Sequence, residues 1–412
     1  MSISSSDSIS TLDIPDAPKP ARRVLRMLKH LSYGCLDITL PHGAKLSFGE
    51  TRLGEPRADL VIRNWGVFQN ALKSGDIGFA ESFIAGEWET SNLTQLMELF
   101  IANRRAIDRV IYGTWLGRLY YQIKHWARRN NRANSSKNIH AHYDLGNSFY
   151  RIWLDESMTY SSALFGAQKD ISLAQAQSAK IQRACRMVGL ENPSPLNVLE
   201  IGCGWGSLAE VVAKDFRANH TGVTLSPSQL KYAQERLATA GLSADLRYQD
   251  YRDISDPPFD AILSIEMFEA VGKEYWSTYF KNVERLLKPG ARACIQTIVI
   301  DDSLFNQYIN GTDFIQQYIF PGGCLPCPSR FRKLALENGL EVIDEFCFGQ
   351  DYAATLREWR RVFLAESNKV RELGFDDAFM KTWEFYLCYC EAGFTQRNLD
   401  VIQFTLQKRS AY

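Results

Sequence analysis

The sequence predicts an α/β fold with a doubly wound, mostly parallel sheet, preceded by a smaller N-terminal α+β domain. Three observations predict it. From residue 139 onward, apolar strand patterns alternate with helical patterns, which is typical of a parallel sheet covered by helices. A glycine-rich loop at 202–206 follows the first of these strands. A polar, basic stretch at 130–138 separates this region from a differently patterned one before it.

These composition changes divide the chain into four segments. The 412 residues are enough for two domains. Residues 1–19 begin with a stretch rich in Ser and Asp and are expected to be a disordered tail. Residues 20–129 form the smaller domain, 130–138 the linker, and 139–412 the larger α/β domain.

The elements of both domains follow from local patterns. In the smaller domain we expect a strand over 36–46, mixed structure over 58–77, an aromatic-rich segment over 79–89 and a helix over 93–107. In the larger domain the predicted strands are 197–201, 220–225, 244–248, 260–265 and 291–300. The predicted helices there are 173–188, 207–216, 227–240 and 274–287. Later segments predict a helix at 330–338, a strand at 341–348 and mostly helix at 356–389.

Charge is balanced overall but not along the chain. The 47 basic and 47 acidic residues cancel, and no nucleic-acid partner is expected. Between residues 104 and 137, however, nine Lys or Arg accompany one acid, Asp108. Within 110–129 these bases alternate with aromatic residues, which is typical of a helix at a membrane surface and equally of a helix packed on the core. No stretch reaches the roughly 18 apolar residues of a membrane span, so we expect membrane contact to be peripheral.

The nine cysteines are scattered, mostly within apolar runs. No secretory signal precedes them, so we expect a reduced, cytoplasmic setting. Cys324 and Cys327 have the spacing of a zinc knuckle, but Cys388 and Cys390 do not provide a second pair at that spacing. No metal site is expected.

The glycine loop and the acids near it indicate the kind of ligand. Glycine lets the backbone approach a ligand closely, which suits a nucleotide-like cofactor at the end of the first strand, although a dinucleotide site or a plain turn has the same pattern. An NAD site usually places an acid at the end of the second strand, which here ends at Ser226 without one. Glu200 ends the first strand, and Asp250 and Tyr251 follow the third, where they suit an adenine ring. This distribution favours S-adenosylmethionine over NAD.

Eight stretches between residue 140 and the C-terminus carry a family resemblance. They are HAHYDLGNSFY (140–150), MTYSSALF (158–165), LEIGCGWG (199–206), GVTLSPSQ (222–229), QDYRD (249–253), SIEMFEAVG (264–272), FIQQYIFPGG (314–323) and YLCYCEAGF (386–394). In this order they resemble the cyclopropane fatty acid synthase family of S-adenosylmethionine-dependent methyltransferases. The resemblance implies a class I methyltransferase fold. It also implies methyl transfer to the double bond of acyl chains in membrane phospholipids, with closure of a cyclopropane ring.

The N-terminal region resembles the family more weakly, through FAESFIAGEWET (79–90). In full-length bacterial members, such a region is associated with lipid binding and dimerisation. The implied partners are therefore a phospholipid membrane surface and a second copy of the chain, as a homodimer.

The resemblance also implies the residues that bind the cofactor. They lie in the TYSS segment, in the glycine loop and after the second, third and fourth strands of the sheet. They are Tyr160, Ser161, Gly202, Gly204, Thr224, Leu225, Gln229, Tyr251, Arg252 and Ile265. Purely structural roles remain open for some of them: Ile265 as core and Thr224 as part of its strand.

A base is the second implied part of the site. Methyl transfer to an alkene leaves a carbocation, and loss of a proton from the new methyl group closes the ring. Such a site must exclude water and hold a base near the transferred carbon. In the family this base is a bound bicarbonate ion. Its implied ligands are Glu269, Gln296, Tyr352 and the backbone of Ser162 and Ile298.

Two of these positions depart from the commonest family pattern. Gln296 stands where His is usual, and Ser162 where Cys is common. An amide can donate to bicarbonate but cannot carry the imidazolium charge, which leaves a methyl-branched or methylene product open beside the ring. Cys390 matches a family cysteine near the site and is interpreted as pocket wall, because the chemistry needs no covalent adduct. Structural roles stay open for Glu269, Tyr352 and Cys390.

Two other functions stay open. One is methylation of a small-molecule amine, as in plant N-methyltransferases related to the family, and the other is lipid binding by a degenerate enzyme. The basic segment 110–129 argues against the first. The intact glycine loop, with Glu269 and Tyr352, argues against the second.

Overall fold

The structure, a computed structural model, describes residues 16–111, 145–167, 170–191 and 195–410. The chain forms two compact units, Met1–Tyr120 and Tyr121–Tyr412. The predicted linker, 130–138, and nearly all of the basic segment 110–129 lie outside the described residues. The boundary predicted there therefore stays a prediction.

The first unit is the predicted α+β domain. Its described strands form one sheet in the order β2-β1-β3-β4, in which β1 is antiparallel to β2 and parallel to β3. The strands are β1 (Cys35–Thr39), β2 (Lys45–Gly49), β3 (Arg57–Ile62) and β4 (Trp88–Glu89). The helices are α1 (Lys19–Leu28), α2 (Gly66–Ser74), α3 (Asp76–Ile84), α4 (Leu93–Ala102) and α5 (Arg104–Ile111).

The prediction of one strand over 36–46 is wrong. The segment contains β1, a turn and the start of β2. The turn forms because the Gly43 N–H donates to the Leu40 carbonyl at 2.8 Å, with Gly43 at a φ of 87° that favours glycine. A single strand pattern in the sequence thus hides a hairpin.

The second unit contains the predicted doubly wound sheet. Its described strands lie in the order β10-β11-β9-β8-β5-β6-β7. Strands β5 to β9 are parallel to their neighbours among themselves, whereas β11 is antiparallel to both β9 and β10. They are β5 (Asn197–Ile201), β6 (Asn219–Thr224), β7 (Asp245–Tyr248), β8 (Phe259–Ile265), β9 (Leu287–Ile300), β10 (Leu340–Cys347) and β11 (Leu399–Lys408).

Helices flank these strands as predicted, and side-chain caps start several of them. Ser172 and Gln175 form a reciprocal capping box at the start of α7. Ser226 accepts from the Gln229 backbone at the start of α9. The α-helices are α6 (Asn147–Trp153), α7 (Leu173–Met187), α8 (Ser207–Val211), α9 (Pro227–Thr239), α10 (Trp276–Leu286), α11 (Asp302–Ile309), α12 (Pro328–Glu337), α13 (Gly349–Ala365), α14 (Ser367–Glu372) and α15 (Asp377–Thr395). Among these described helices, none has both the length and the apolar character that a membrane crossing requires.

The five predicted parallel strands are confirmed, with shifts at their ends. The predicted helix over 207–216 is an α-helix only to Val211 and continues as a π-helical turn, Val212–Phe216. Strand β11 is not predicted by the sequence patterns, although it lies between β9 and β10.

The order of the strands places the site. Strands β6 and β7 lie on one side of β5, and β8 and β9 lie on the other. In doubly wound sheets, ligands bind outside the carboxyl ends of the strands at such a reversal. The glycine loop follows β5, and Glu266 directly follows β8. Both segments therefore meet at the edge where a cofactor is expected.

Candidate active site

The glycine loop is held tightly between its neighbours. Gly202, Gly204 and Gly206 have φ of 92°, 50° and 83°, a region that side chains rarely adopt. The Gly202 N–H donates to the Val223 carbonyl at 3.0 Å and ties the loop to β6. A Cβ at Gly202 would lie 2.9 Å from Cγ of Met267, so a side chain has no room there. This geometry leaves the loop backbone free to contact a ligand.

Two other groups of cofactor candidates lie after β6 and β7. Thr224 and Gln229 are buried, and the Thr224 hydroxyl donates to Gln229 Oε1 at 3.3 Å. The Arg252 guanidinium donates to both carboxylate oxygens of Asp250, at 2.8 and 2.5 Å. It also lies 5.7 Å from the centre of the Tyr251 ring. These contacts fix both groups beside the carboxyl ends of the strands.

Three further residues lie at the carboxyl ends of β5, β6 and β8. Glu200 lies 2.8 Å from Nε2 of His220, and both side chains are buried. Ile265 packs against the core below α7, and Leu225 directly follows β6. Glu200 is thus paired with a residue of the neighbouring strand. The position of Ile265 agrees with the core role that the sequence left open for it.

The TYSS segment is fastened to α7 and α15. The Tyr160 and Tyr386 hydroxyls lie 2.7 Å apart. Lys180, which is fully buried, donates to the Ser161 hydroxyl at 2.6 Å. The Gln177 amide donates to the Ser161 carbonyl at 2.8 Å. The segment is therefore rigidly placed across the ends of the strands.

Aromatic rings surround Tyr160. The Tyr150, Trp153, Phe320 and Trp359 rings have centroids 5.4, 5.4, 6.4 and 5.3 Å from that of Tyr160. Aromatic faces attract cations, and an apolar aromatic wall excludes water from a reactive centre. We call these five residues the aromatic cluster. Its chemistry suits a sulfonium ion and a carbocation.

Three hydrogen-bond donors converge on one carboxylate, that of Glu266. Oε1 accepts from the Ser162 N–H at 2.9 Å and from the Gln296 amide at 2.7 Å. Oε2 accepts from the Tyr352 hydroxyl at 2.7 Å. Gln296 is the register partner of Ile265, so the pairing of β8 with β9 brings its amide to Glu266. Three of the residues predicted to hold bicarbonate thus hold a side chain of the protein.

A second layer of polar side chains orients Gln296. Its Oε1 accepts from the Gln403 amide at 3.0 Å, so its NH₂ group faces Glu266. Gln403, on β11, in turn accepts from the Arg183 guanidinium at 2.8 Å. Arg183 is paired with Asp344 at 2.7 Å. This chain of partners fixes the end of the Gln296 amide that acts as donor.

The other two predicted bicarbonate ligands pair with each other. Glu269 Oε1 accepts from the Ile298 N–H at 2.5 Å and from the Thr297 hydroxyl at 3.0 Å. Its Oε2 is buried without a hydrogen-bond partner among the described residues. Burial, followed by the nearby charge of Glu266, raises the pKa of Glu269 to about 8. Glu269 is therefore mostly protonated at neutral pH.

Burial governs the other titratable groups as well. It raises the pKa of Glu266, while Lys180 and the hydrogen bonds from Tyr352, Ser162 and Gln296 oppose the rise. Burial also lowers the pKa of Lys180 to about 8 and raises that of the Cys390 thiol, which lies near Tyr352 and Tyr386. Cys390 therefore stays protonated, as a residue of the pocket wall would.

S-adenosylmethionine fits this arrangement. A Cβ at Gly202 or Gly206 would meet a neighbouring side chain at 2.9 or 2.8 Å, so only glycine gives a bare, close-fitting loop. The TYSS segment and its aromatic cluster offer faces for a sulfonium. Thr224, Gln229 and Tyr251 lie at the carboxyl ends of β6 and β7, where the rest of a nucleoside would bind.

Bicarbonate does not fit in the same way. The ion would need the donors Ser162 N–H, Gln296 NH₂ and Tyr352 OH, which the carboxylate of Glu266 already occupies. A second anion in this place would also add a negative charge beside that of Glu266, at a buried site where charges must be paired.

The sequence reasoning missed three residues of the site, Glu266, Lys180 and Gln403. Glu266 belongs to the quoted SIEMFEAVG stretch, three residues before Glu269. Two acids at the end of one strand are a signal that could have identified it as a second candidate. Lys180 and Gln403 carried no comparable signal.

Comparisons with known proteins cover most of the chain. Residues 130–404 match the family described as mycolic acid cyclopropane synthetase. The chain is 37% identical over 369 residues to tuberculostearic acid methyltransferase UfaA1 of Mycobacterium tuberculosis, covering 86% of this chain and 85% of that protein. It is 33% identical over 364 residues to cyclopropane-fatty-acyl-phospholipid synthase of Escherichia coli, covering 86% and 89%. The crystal structure of mycolic acid cyclopropane synthase CmaA1 with SAH and CTAB has a TM-score of 0.62 at 31% identity, covering 66% of this chain and 98% of that one.

Proposed function

Since the chain belongs to the mycolic acid cyclopropane synthetase family and is an S-adenosylmethionine-dependent methyltransferase, we propose that it methylates the double bond of an unsaturated acyl chain. The substrate we propose is a membrane phospholipid, and the product a cyclopropane ring. The observation that carries this proposal is the position of a carboxylate, Glu266, held through Ser162 next to the aromatic cluster. Alkene methylation needs both a base and a water-free wall.

The residues of the site have separate roles in the proposed reaction. S-adenosylmethionine, when bound, supplies an electrophilic methyl group. The glycine loop, Thr224, Gln229 and Tyr251 would hold the cofactor. The aromatic cluster excludes water and stabilises positive charge on the acyl chain. The family resemblance implies bicarbonate as the base, but the donors for that ion are engaged by Glu266, so no step of the proposed reaction depends on it.

A second product has support of its own. The chain has Gln296 at a position where the resemblance leads one to expect His, and the relative at 37% identity is named a methyltransferase. In this variant of the reaction, proton loss leaves a carbon–carbon double bond on the methylated chain instead of a ring. The cofactor, the alkene and the base are the same.

The test uses purified protein, S-adenosylmethionine labelled as CD₃, and vesicles of a dioleoyl phospholipid. We expect fatty acids that gain CD₂, because one deuteron leaves the new methyl group. Gas chromatography–mass spectrometry of the methyl esters then separates the two products. A ring loses the unsaturation, whereas a methylene product keeps it.

Two results of this experiment would contradict the proposal. Retention of CD₃ would mean that the proton leaves another carbon, so that neither product forms. Absence of any labelled lipid, together with N-methylation of small amines offered in parallel, would favour the amine methyltransferase.

We also propose that the segment 110–129 binds the membrane surface. The proposal is supported by the sequence alone, because the bases and aromatic residues concerned lie outside the described residues. Replacing four bases with Gln should weaken binding to anionic vesicles by up to roughly 1 kcal/mol per charge. Turnover of detergent-dispersed lipid should change much less. The four are Arg118, Lys124, Arg128 and Arg129.

A matched control removes the same charge from elsewhere on the chain. The four control bases have side chains at least 63% exposed and are Lys231, Lys333, Arg361 and Lys369. Vesicle co-sedimentation should show weaker binding for the first set alone. Equal binding by both variants and the unmodified protein would refute the role of the segment.

A further inference from the structure

We propose that Glu266 is the base of the reaction and takes the place that a bicarbonate ion would otherwise fill. The inference rests on the proposed alkene methylation and assigns its proton-accepting atom to the chain itself. The enzyme would then work without an exogenous anion.

The hydrogen bonds around Glu266 carry the proposal. A backbone N–H, an amide NH₂ and a phenol OH converge from the TYSS segment, β9 and α13 on one carboxylate, at 2.7 to 2.9 Å. Such a set of donors suits a small oxyanion, and here the oxyanion is a side chain. Oε1 accepts two of the bonds, whereas Oε2 accepts from Tyr352 alone among the described residues. Oε2 therefore has a lone pair available for a proton.

The backbone of Glu266 is a second, independent observation. Its φ is 50°, in the left-handed region that favours glycine. Its N–H donates to the Gln296 carbonyl at 2.8 Å, which anchors this conformation to β9. Non-glycine residues held in this region cluster at active sites, where the surrounding structure fixes them. A glutamate at a position that suits glycine indicates a role for its side chain.

The charges nearby agree with a single ionised carboxylate. Lys180 on α7 is fully buried and interacts electrostatically with Glu266. Asp155 also interacts electrostatically with Lys180, and Glu269 is mostly protonated at neutral pH because burial raises its pKa to about 8. Lys180 and the three hydrogen-bond donors oppose the effect of burial on the pKa of Glu266, which favours its ionised form. A bound bicarbonate would place a second anion beside this carboxylate, and a buried anion is costly unless it is paired.

The proposed step is a proton transfer. After methylation, the acyl chain carries a cation next to the carbon that bears the new methyl group. A C–H bond of that methyl breaks, and its proton passes to Glu266 Oε2. The electron pair of the C–H bond closes the ring onto the cationic carbon. In the alternative product, the same pair forms the double bond once the cation has moved to the methylated carbon by a hydride shift. The carboxylic acid returns its proton to water when product leaves.

The first test is the dependence of the unmodified protein on bicarbonate. We expect turnover to be unchanged in buffer freed of carbon dioxide and unaffected by added bicarbonate. A nuclear magnetic resonance titration with [13C]bicarbonate should show no binding, a result that does not depend on activity. Turnover that disappears without bicarbonate and returns with it would overturn the proposal. Absence of labelled lipid under every condition would instead count against the proposed function.

Two variants test the residue itself. Glu266→Gln keeps the shape but removes the base, and should lower turnover by about 10²- to 10⁴-fold while S-adenosylmethionine binding by calorimetry stays intact. Glu266→Gly suits the backbone and frees the three donors. It should bind [13C]bicarbonate, and bicarbonate or formate should raise its turnover by about tenfold or more. The Gln variant should show neither effect.

Glu337→Gln is the control, because Glu337 lies on α12 in an exposed pair with Lys333. It should match the unmodified protein in turnover and in its indifference to bicarbonate. Normal turnover by Glu266→Gln would show that this carboxylate is only structural. Circular dichroism shows whether each variant folds. If Glu266→Gly does not fold, Glu266→Gln alone tests the proposal.

Discussion

Gly202→Val is expected to abolish S-adenosylmethionine binding. The φ of 92° is strained for any side chain, and a β-branched one is the least tolerant of it. The new Cβ would lie 2.9 and 3.0 Å from Cγ and Cβ of Met267, so Met267 must move. Met267 is the neighbour of Glu266, and the displacement would disturb both halves of the site. Calorimetry should show affinity reduced by at least about 10²-fold, or nearly 3 kcal/mol.

Gly374→Val is the matched control for this variant. Gly374 has a φ of 95°, and a Cβ there would meet no atom within 4 Å. Its replacement introduces the same backbone strain, about 1–2 kcal/mol, without filling space near a ligand. We expect lower thermal stability and normal cofactor binding. If Gly202→Val also binds the cofactor normally, the glycine loop is not the cofactor site.

The parallel strands could be predicted because buried strands are readable as continuous apolar runs. In β5, Val198 to Ile201 are all buried, and the sequence prediction has the same bounds as the strand. Strand β11 could not be predicted in this way. Gln403 and Thr405 are fully buried within it. The sequence of the strand is therefore more polar than that of a typical buried strand. Its polar Gln403 is satisfied by residues distant in the sequence: it accepts from Arg183 and donates to Gln296 and to the Lys180 carbonyl.

In the site too, the motifs predict some features and only the tertiary structure shows others. The motifs singled out Ser162, Gln296 and Tyr352, and the fold brings all three to one carboxylate. Whether these three donors bind Glu266 or Glu269 depends on the backbone conformation after β8. Glu266, directly after the strand, has a left-handed backbone conformation. No residue type near it predicts this conformation. Glu269 instead turns to the Ile298 N–H.

Lys180 marks the limit of prediction from residue type. Lysine is almost never fully buried, so a lysine in a helical pattern is expected to face solvent. Here Lys180 has no exposed surface, and its partner is the Ser161 hydroxyl at 2.6 Å. Only the assembled sheet shows that α7 directs a charge towards Glu266.

Tyr352→Phe is expected to lower product formation by about 10²-fold, the lower end of the range for acid–base elements. The Tyr352 hydroxyl is the donor to Glu266 Oε2, at 2.7 Å, and the phenol is buried. Its loss leaves that oxygen without a donor among the described residues. Cofactor binding should stay near normal, since the cofactor candidates lie on other segments. Single-turnover assays with labelled lipid would measure the loss.

The pH profile of this variant separates an effect on the base from a packing effect. The hydrogen bond from Tyr352 lowers the pKa of Glu266, so its removal raises that pKa further. A base acts only when deprotonated, and activity is lost as pH falls through its pKa. The acidic limb of the rate profile should therefore move to higher pH in Tyr352→Phe.

Tyr308→Phe is the control for loss of a buried hydroxyl. The Tyr308 oxygen accepts from the Gln316 amide at 3.1 Å and from the Leu325 N–H at 3.0 Å, and neither donor binds Glu266. This variant should be less stable by about 1–3 kcal/mol, with the acidic limb unmoved. A Tyr352→Phe profile that coincides with the Tyr308→Phe profile would mean that Tyr352 only packs. A shifted limb in Tyr352→Phe alone would tie the phenol to the carboxylate that removes the proton.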